Sequence, residues 1–110
     1  MPEKRAAQRI PVRLRAQYRS TGIIIDGEVE SLSRTGLFMR ADLLDTPGTE
    51  AVLVLDLPGS EGPLELPGEV VRVDHRPGRS GMGIRFGALV DTARRPLANF
   101  MIESSYSTLR

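Results

Sequence analysis

The stretch VRLRAQYRSTGIIIDGEVESL, residues 12–32, indicates how this chain folds, because apolar and polar side chains alternate along most of it. Such alternation places one set of side chains in a core and the other in water, which is the pattern of a β-strand. A Ser-Thr-Gly turn at residues 20–22 divides the stretch in two. The sequence therefore predicts two successive strands, over residues 12–19 and 23–32.

Short alternating runs continue beyond this hairpin, and many of the eleven glycines and eight prolines separate them. Further strands are predicted over residues 37–40, 50–57, 64–75 and 82–86. The run at 64–75 contains Pro67-Gly68, and we expect an interruption there because proline cannot donate to a sheet ladder. Six strands leave two open edges unless the sheet closes on itself. The predicted fold is therefore all-β, a six-stranded antiparallel β-barrel over residues 12–86.

The C-terminal segment differs from the rest of the chain, because its apolar residues from Leu97 to Met101 recur with helical spacing. Pro96 precedes them, and a proline deep inside a helix removes a backbone hydrogen bond and clashes with the preceding turn. We therefore predict one short α-helix over residues 92–104, with Pro96 in its first turn.

Length and composition limit what the chain can be. Its 110 residues, of which 40% are hydrophobic, suffice for one core, so residues 1–110 are expected to form a single domain. Cysteine is absent and His75 is the only histidine, which excludes disulfides, thiol catalysis and most zinc sites. No metal site and no cofactor is predicted.

Charge and hydropathy exclude two classes of partner. The formal net charge is only +1, which is too balanced for a protein that binds duplex nucleic acid. No apolar run approaches the roughly 18 residues that span a bilayer, and the first ten residues are charged rather than signal-like. The protein is therefore expected to be cytoplasmic, without membrane insertion.

The chain also lacks the signatures of common enzymes. It has no phosphate-binding loop ending in Lys-Ser or Lys-Thr, no His-Glu-x-x-His motif and no Ser-His-Asp set. We predict that it is not an enzyme and has no catalytic residues. A small barrel that binds single-stranded nucleic acid is a weaker alternative, because two tyrosines, three phenylalanines and no tryptophan offer few stacking surfaces.

Two short motifs remain once enzyme chemistry is set aside. Arg5 and Arg9 lie four residues apart before the first predicted strand, and Ser31, Ser33 and Gly36 lie around the end of the second. Together they resemble the pattern of the PilZ domain family, which is Arg-x-x-x-Arg followed by Asp or Asn-x-Ser-x-x-Gly. Other segments that resemble this family are Arg9-Ile10-Pro11-Val12-Arg13-Leu14, Gly36-Leu37-Phe38 and Gly81-Met82-Gly83-Ile84-Arg85-Phe86. The likeness covers nearly the whole chain.

The resemblance implies a PilZ-type β-barrel that binds the bacterial second messenger cyclic di-GMP. Arginine offers a planar fork of donors that fits phosphate oxygens and the O6 and N7 edge of guanine, so Arg5 and Arg9 suit a ligand with two phosphates and two guanines. Ser31 and Ser33 are expected to contact a guanine, and Gly36 to adopt a backbone conformation closed to other residues. The additional candidates for ligand binding are Lys4, Arg34 and Arg85.

Ser31 departs from the family pattern, in which the first position is Asp or Asn. A hydroxyl replaces a charged acceptor, which costs roughly 1–2 kcal/mol and weakens binding roughly five- to thirty-fold. Glu30 is not expected to substitute for that acceptor, because neighbouring residues of a regular strand point to opposite faces. An alternative is therefore a degenerate PilZ-like adaptor, in motility or type IV pilus control, that binds proteins and does not bind cyclic di-GMP.

The segment that carries the two arginines, residues 1–11, precedes the barrel and is expected to become ordered around the ligand. Binding would then change the surface of the protein, as in the regulation of bacterial motility or biofilm formation. Because no effector domain accompanies the predicted barrel and helix, the signal is expected to pass to an unidentified effector protein.

Overall fold

The structure is a computed structural model that describes residues 9–108, with side chains for residues 9–104. The described residues form six strands and one helix. The elements are β1 (Ile10–Ser20), β2 (Ile23–Leu32), β3 (Gly36–Arg40), β4 (Glu50–Leu55), β5 (Leu64–Asp74), β6 (Gly81–Phe86) and α1 (Asp91–Thr108). Neighbouring strands are antiparallel, and the order β1-β2-β3-β6-β5-β4 closes into a barrel because β1 also pairs with β4. The predicted six-stranded antiparallel barrel with a C-terminal helix is confirmed.

Alternation of side chains fills the interior of the barrel. Tyr18 on β1 lies opposite Leu53 on β4, which lies opposite Leu66 on β5, and all three are fully buried. Burying a side chain of this size contributes about 1.5–3 kcal/mol to stability. These three strands therefore enclose one side of a continuous apolar core.

The hydroxyl of Tyr18 ties the loop between β3 and β4 to this core. It donates a hydrogen bond to Asp45 Oδ2 at 2.6 Å, and the backbone N–H of Thr46 donates to Asp45 Oδ1 at 2.8 Å. Burial of the phenol, together with the hydrogen bond to Asp45 and the charge of that carboxylate, raises the pKa of Tyr18 well above its ordinary value. The tyrosine therefore keeps its proton and remains a donor.

The strand limits differ from the prediction mainly in β1 and β5. β1 begins at Ile10 rather than Val12, and β5 runs from Leu64 to Asp74 without the interruption predicted at Pro67-Gly68. The carbonyl of Pro67 accepts from the N–H of Gly87 at 2.9 Å, so the missing N–H of the proline faces the end of β6 and not the ladder with β4. The strand tolerates a proline at this position, and the predicted interruption is wrong.

α1 begins earlier and ends later than the predicted helix, residues 92–104. The carbonyl of Val90 accepts from the N–H groups of Ala93 and Arg94 at 3.0 and 2.8 Å, which closes the first helical turn. Pro96 consequently lies inside the helix, beyond the first turn. The prediction that it lies in the first turn is wrong, because the helix starts at Asp91.

One face of α1 packs on the barrel and explains why the helix accepts its proline. Ala93, Leu97 and Met101 recur every four residues and are buried in the same cluster as the strand residues. Their burial offsets the backbone hydrogen bond that Pro96 cannot make. Over residues 9–108, no helix is both long enough and apolar enough to cross a membrane.

Strand pairing shifts register in three places, each of which is a β-bulge. The shifts lie between Pro11 and Leu14 in the pairing of β1 with β2, between Val29 and Ser31 in that of β2 with β3, and between Val70 and Arg72 in that of β5 with β6. A bulge adds a residue to one strand and so breaks the alternation of its side chains. Val29 and Leu32, for example, are both fully buried although they are three residues apart.

Candidate ligand-binding site

An open cavity of about 540 Å³ lies on the outer surface of the barrel, beside the three bulges. We call it the arginine cavity, because five of its lining residues are arginines and two are carboxylates. Its volume falls within the range of small-molecule sites, roughly 300–1,000 Å³. The residues that line it are Arg9, Pro11, Glu30, Ser31, Phe38, Arg40, Arg72, Asp74, Arg76 and Arg79.

A second cavity, of about 560 Å³, lies between the loop at residues 57–64 and α1. Its lining includes Arg95 together with Glu61 and Glu103, so it has no excess of positive charge. A third cavity, of about 610 Å³, is lined by Arg15 together with Asp26, Glu28 and Asp56, so carboxylates predominate there. Among these three cavities of the described residues, the arginine cavity is the one with a clear excess of positive charge. It is therefore the candidate site for an anionic ligand.

Two glycines of β6 lie next to two residues that line the arginine cavity, Phe38 and Arg72. A Cβ atom on Gly81 would lie 2.6 Å from the ring of Phe38, and one on Gly83 would lie 3.0 Å from Cγ of Arg72. Because neither glycine has a side chain, Phe38 and Arg72 can lie directly over β6. The guanidinium of Arg72 is 5.3 Å from the centre of the Phe38 ring, a cation–π contact that holds it against the barrel.

The bulge in β2 brings two consecutive side chains to the arginine cavity. Val29 lies opposite Met39 and Ser31 lies opposite Phe38, so Glu30 is the extra residue of the strand. Both Glu30 and Ser31 line the cavity. The expectation that Glu30 points away from Ser31 is therefore wrong, because the strand is not regular at this point.

The bulge in β5 turns Arg72 outward. Val70 lies opposite Ile84 and Arg72 lies opposite Gly83, so Val71 is the extra residue. In a regular strand Arg72 would share the buried face of Val70. The bulge places both Val71 and Arg72 on the exposed side, and the cavity gains an arginine.

Carboxylates pair with two of the five arginines. Arg76 makes a bidentate ion pair with Asp74, with distances of 2.6 Å from Nη2 to Oδ2 and 3.0 Å from Nε to Oδ1. The side-chain hydrogen bonds from Arg76 hold the pKa of Asp74 well below its usual range. Arg40 pairs more loosely, because it lies 3.6 Å from Glu30 and also donates to the carbonyl of Gly78.

The other three arginines, Arg9, Arg72 and Arg79, form no ion pair with any carboxylate that the structure describes. Arg9 instead donates from Nη1 to Ser31 Oγ at 3.0 Å. This hydrogen bond joins a residue of each sequence motif at the wall of the cavity. The arrangement leaves positive charge and N–H donors available to an anion such as a phosphate.

Ser33 and Gly36 lie outside the cavity lining and build the turn beside it. Only 3% of Ser33 is exposed, and its hydroxyl oxygen accepts from the N–H groups of Thr35 and Gly36, each at 3.1 Å. Gly36 does not have a positive φ, but a Cβ there would lie 2.3 Å from the carbonyl oxygen of Ile84. The glycine allows β6 to approach closely, so the prediction of a special backbone conformation is wrong.

The remaining predicted residues do not join Arg9 and Ser31 in the described part of the cavity. Arg85 pairs with Glu69 at 3.2 Å and lines a different, smaller hollow, and Arg34 is exposed on the turn between β2 and β3. Lys4 and Arg5 lie outside the described residues, as does most of the 1–11 segment. The described pair is therefore Arg9 and Ser31.

Sequence reasoning missed most of the cavity lining. Two signals could have found part of it. Aliphatic residues three apart within one strand, such as Val70 and Val73, indicate a bulge, and glycines at alternate positions of β6 indicate side chains that cross over it. The missed residues that line the cavity are Phe38, Arg40, Arg72, Asp74, Arg76 and Arg79.

Solved structures of other proteins share the fold of this chain. The structure of the inhibitor of motility MotI/DgrA from Bacillus subtilis is 20% identical, with a TM-score of 0.80 over 96% of this chain and 53% of that one. YcgR from Escherichia coli in complex with c-di-GMP is 16% identical, with a TM-score of 0.78 over 96% of this chain and 48% of that one. The chain thus spans about half the length of these two proteins.

A shorter structure matches over nearly its whole length. The PilZ domain of Escherichia coli YcgR with c-di-GMP is 14% identical, with a TM-score of 0.74 over 98% of this chain and 95% of that one. No curated protein matches the sequence. The PilZ domain family model matches residues 3–103. This match covers most of the chain, which therefore belongs to the PilZ domain family.

Proposed function

We propose that this protein is a receptor for cyclic di-GMP and that the ligand binds in the arginine cavity. The observation that carries the proposal is the hydrogen bond between Arg9 and Ser31, which joins the two family motifs at the wall of a positively charged cavity. The YcgR PilZ domain, which shares this fold, was solved with c-di-GMP. That neighbour supports cyclic di-GMP as the ligand over other organic phosphates.

The chemistry of the cavity fits a cyclic dinucleotide. Arginine forks bind phosphate oxygens with two parallel hydrogen bonds and can bind O6 and N7 of guanine in the same way. Arg9 and Arg79, which lack carboxylate partners among the described residues, supply such forks. Arg72, held over Phe38, offers a flat guanidinium face on which a base can stack.

The other motif residues that the structure describes lie in the arginine cavity or support the turn beside it. Ser31 accepts or donates at the cavity wall, whereas Ser33 and Gly36 keep the turn in place and so position Ser31. In our proposal Lys4 and Arg5 add positive charge around the ligand. Arg34 and Arg85 take no direct part in our proposal, because neither lines the cavity.

Ligand binding changes the surface of the protein, and an effector protein reads that change. The proposed role is regulatory binding rather than catalysis. MotI/DgrA, which shares the fold, is an inhibitor of motility. This supports motility control as the process in which a chain of this kind acts.

Calorimetric titration with cyclic di-GMP tests the proposal. We expect Arg9→Ala to weaken binding about 30-fold, since losing a charged hydrogen-bonding partner costs about 2 kcal/mol. Arg72→Ala should weaken it about tenfold through the loss of stacking and charge. Arg15→Ala is the matched control, because Arg15 is exposed on β1 outside the arginine cavity, and we expect a change within about twofold.

The variant Ser31→Asp separates the receptor from the adaptor alternative. A carboxylate restores a charged acceptor, so a working receptor should bind cyclic di-GMP more tightly after this change. If the unmodified protein shows no binding and Ser31→Asp binds, the natural function is that of a ligand-free adaptor. If neither binds, the receptor hypothesis fails.

A further inference from the structure

Glu30 presents a carboxylate to a cavity in which arginine donors predominate. It is the extra residue of the β2 bulge, its side chain is exposed, and it lines the arginine cavity beside Ser31. Without the bulge, only one of these two neighbours would reach the cavity. The bulge therefore adds an acceptor to a site that otherwise consists mainly of donors.

The partner that Glu30 has in this structure holds it weakly. Arg40 lies 3.6 Å away, both side chains are about half exposed, and exposed pairs of this kind contribute about 0–1 kcal/mol. Arg40 also donates a hydrogen bond to the carbonyl of Gly78, so its position does not depend on Glu30 alone. Asp74, by contrast, accepts three hydrogen bonds from the Arg76 side chain. Of the two carboxylates in the cavity, Glu30 is the one available to a ligand.

We propose that Glu30 is the residue that selects guanine, by accepting hydrogen bonds from the N1–H and 2-amino groups of one base. This inference rests on the proposed function, since it concerns how cyclic di-GMP is read in the same cavity. A carboxylate is acceptor-only and can take two parallel hydrogen bonds from such a donor pair. Adenine presents an acceptor at N1 and no 2-amino group, so the same carboxylate disfavours it.

Replacing Glu30 should change ligand affinity in opposite directions for a contact with the base and for a purely electrostatic effect on the phosphates. Removing a negative charge from a cavity with five arginines strengthens its attraction for the phosphates of any dinucleotide. A variant without the carboxylate should therefore bind phosphates at least as well. A loss of affinity that is larger for the ligand with the 2-amino group than for the ligand without it is therefore the result expected of a contact between Glu30 and the base.

The experiment compares two ligands on two matched variants. Cyclic di-IMP lacks the 2-amino group of cyclic di-GMP and is otherwise the same molecule. We expect the unmodified protein to prefer cyclic di-GMP by about tenfold, and Glu30→Gln to reduce this preference to about twofold, with a smaller loss of affinity for cyclic di-IMP, which keeps N1–H but has no 2-amino group. Glu28→Gln is the control, because Glu28 lies two residues earlier on β2, pairs with Arg13 at 3.3 Å and lies outside the cavity.

Three results separate the two proposals. If the unmodified protein binds cyclic di-GMP and Glu30→Gln keeps the full preference over cyclic di-IMP, the role of Glu30 is overturned and the receptor stands. If Glu30→Gln weakens both ligands equally, Glu30 acts on the cavity as a whole and not on the base, which also overturns the inference. If the unmodified protein binds neither ligand, both proposals fail.

Discussion

Two walls of this barrel differ in how regularly their strands pair. The regular wall consists of β1 from Leu14 onward, β4 and the first half of β5. Along this wall, β4 pairs with β1 and with β5 without any shift of register. The bulged wall consists of β2, β3, β6 and the second half of β5, and it contains the bulges at Glu30 and Val71. The arginine cavity lies on the bulged wall.

The comparison of the two walls shows how a small barrel gains a charged cavity without losing its core. A bulge adds one outward side chain to a strand while the buried residues on either side of it stay buried. At the β2 bulge, Val29 and Leu32 remain in the core while Glu30 and Ser31 both face the cavity. In this barrel, the charged side chains of the candidate site lie where the regular alternation of side chains stops.

The largest effect is expected from Gly36→Ala, which tests whether the bulged wall is as tightly packed as the regular one. The added Cβ would lie 2.3 Å from the carbonyl oxygen of Ile84, which is backbone and cannot turn away. We expect the free energy of unfolding in urea to fall by about 3 kcal/mol. Gly87→Ala is the control, since its Cβ would meet Pro67 at an ordinary 3.7 Å, and equal losses in both variants would show that β3 and β6 are not closely packed.

A smaller effect, on the regular wall, is expected from Tyr18→Phe. The change removes the hydrogen bond to Asp45 and leaves a partly buried carboxylate with one donor fewer, so stability should fall by about 2 kcal/mol at neutral pH. The variant should also respond differently to alkaline pH, because the pKa of Tyr18 is raised in the folded state.

The direction of that pH response follows from the two pKa values of Tyr18. The unfolded chain releases the phenol proton near pH 10, whereas the folded protein retains it, so the stabilisation present below about pH 10 is lost as the pH rises further. Thermal unfolding measured between pH 8 and about pH 11 should show a steeper decline for the unmodified protein than for Tyr18→Phe. Parallel declines would mean that the hydroxyl of Tyr18 is not shielded by the core.

The smallest expected effect on stability tests where the bulge in β5 lies. In a regular strand Val71 and Val73 would face the same side, but the bulge leaves Val71 43% exposed and packs Val73 against the core. We expect Val73→Thr to cost about 1 kcal/mol by placing a hydroxyl among apolar side chains, and Val71→Thr to change stability by less than about 0.5 kcal/mol. Equal costs in chemical denaturation would indicate that β5 is regular.

The regular wall is predictable from the sequence because its alternation has one physical cause. Each second side chain between Leu14 and Tyr18 is buried, and the same holds from Ala51 to Leu57, so period-two reasoning finds both strands and their inward faces. The motifs likewise predict that Arg9 and Ser31 come together, because they mark the start of one strand and the end of its neighbour in an antiparallel pair.

The bulged wall is harder to predict, because a bulge depends on how two strands pair and not on one strand alone. The position of Glu30 beside Ser31 and the outward position of Arg72 follow from the pairing with β3 and β6, and the spacing of Val70 and Val73 is only a partial signal of the second. Arg76 and Arg79 belong to a loop, where no periodicity applies. A related reason explains the wrong predictions for Pro67 and Pro96. The free-energy cost of each proline depends on whether its neighbours supply or omit a hydrogen bond.

The two glycines of β6 beside Phe38 and Arg72 differ in what a substitution would disturb. A Cβ on Gly83 would meet only the flexible side chain of Arg72, whereas one on Gly81 would also meet the backbone carbonyl of Met39 at 2.5 Å. Substitution of Gly83 by a small residue can therefore displace Arg72 and alter the site while the barrel stays above its stability threshold. One position on the barrel can therefore change the candidate site without changing the scaffold that carries it.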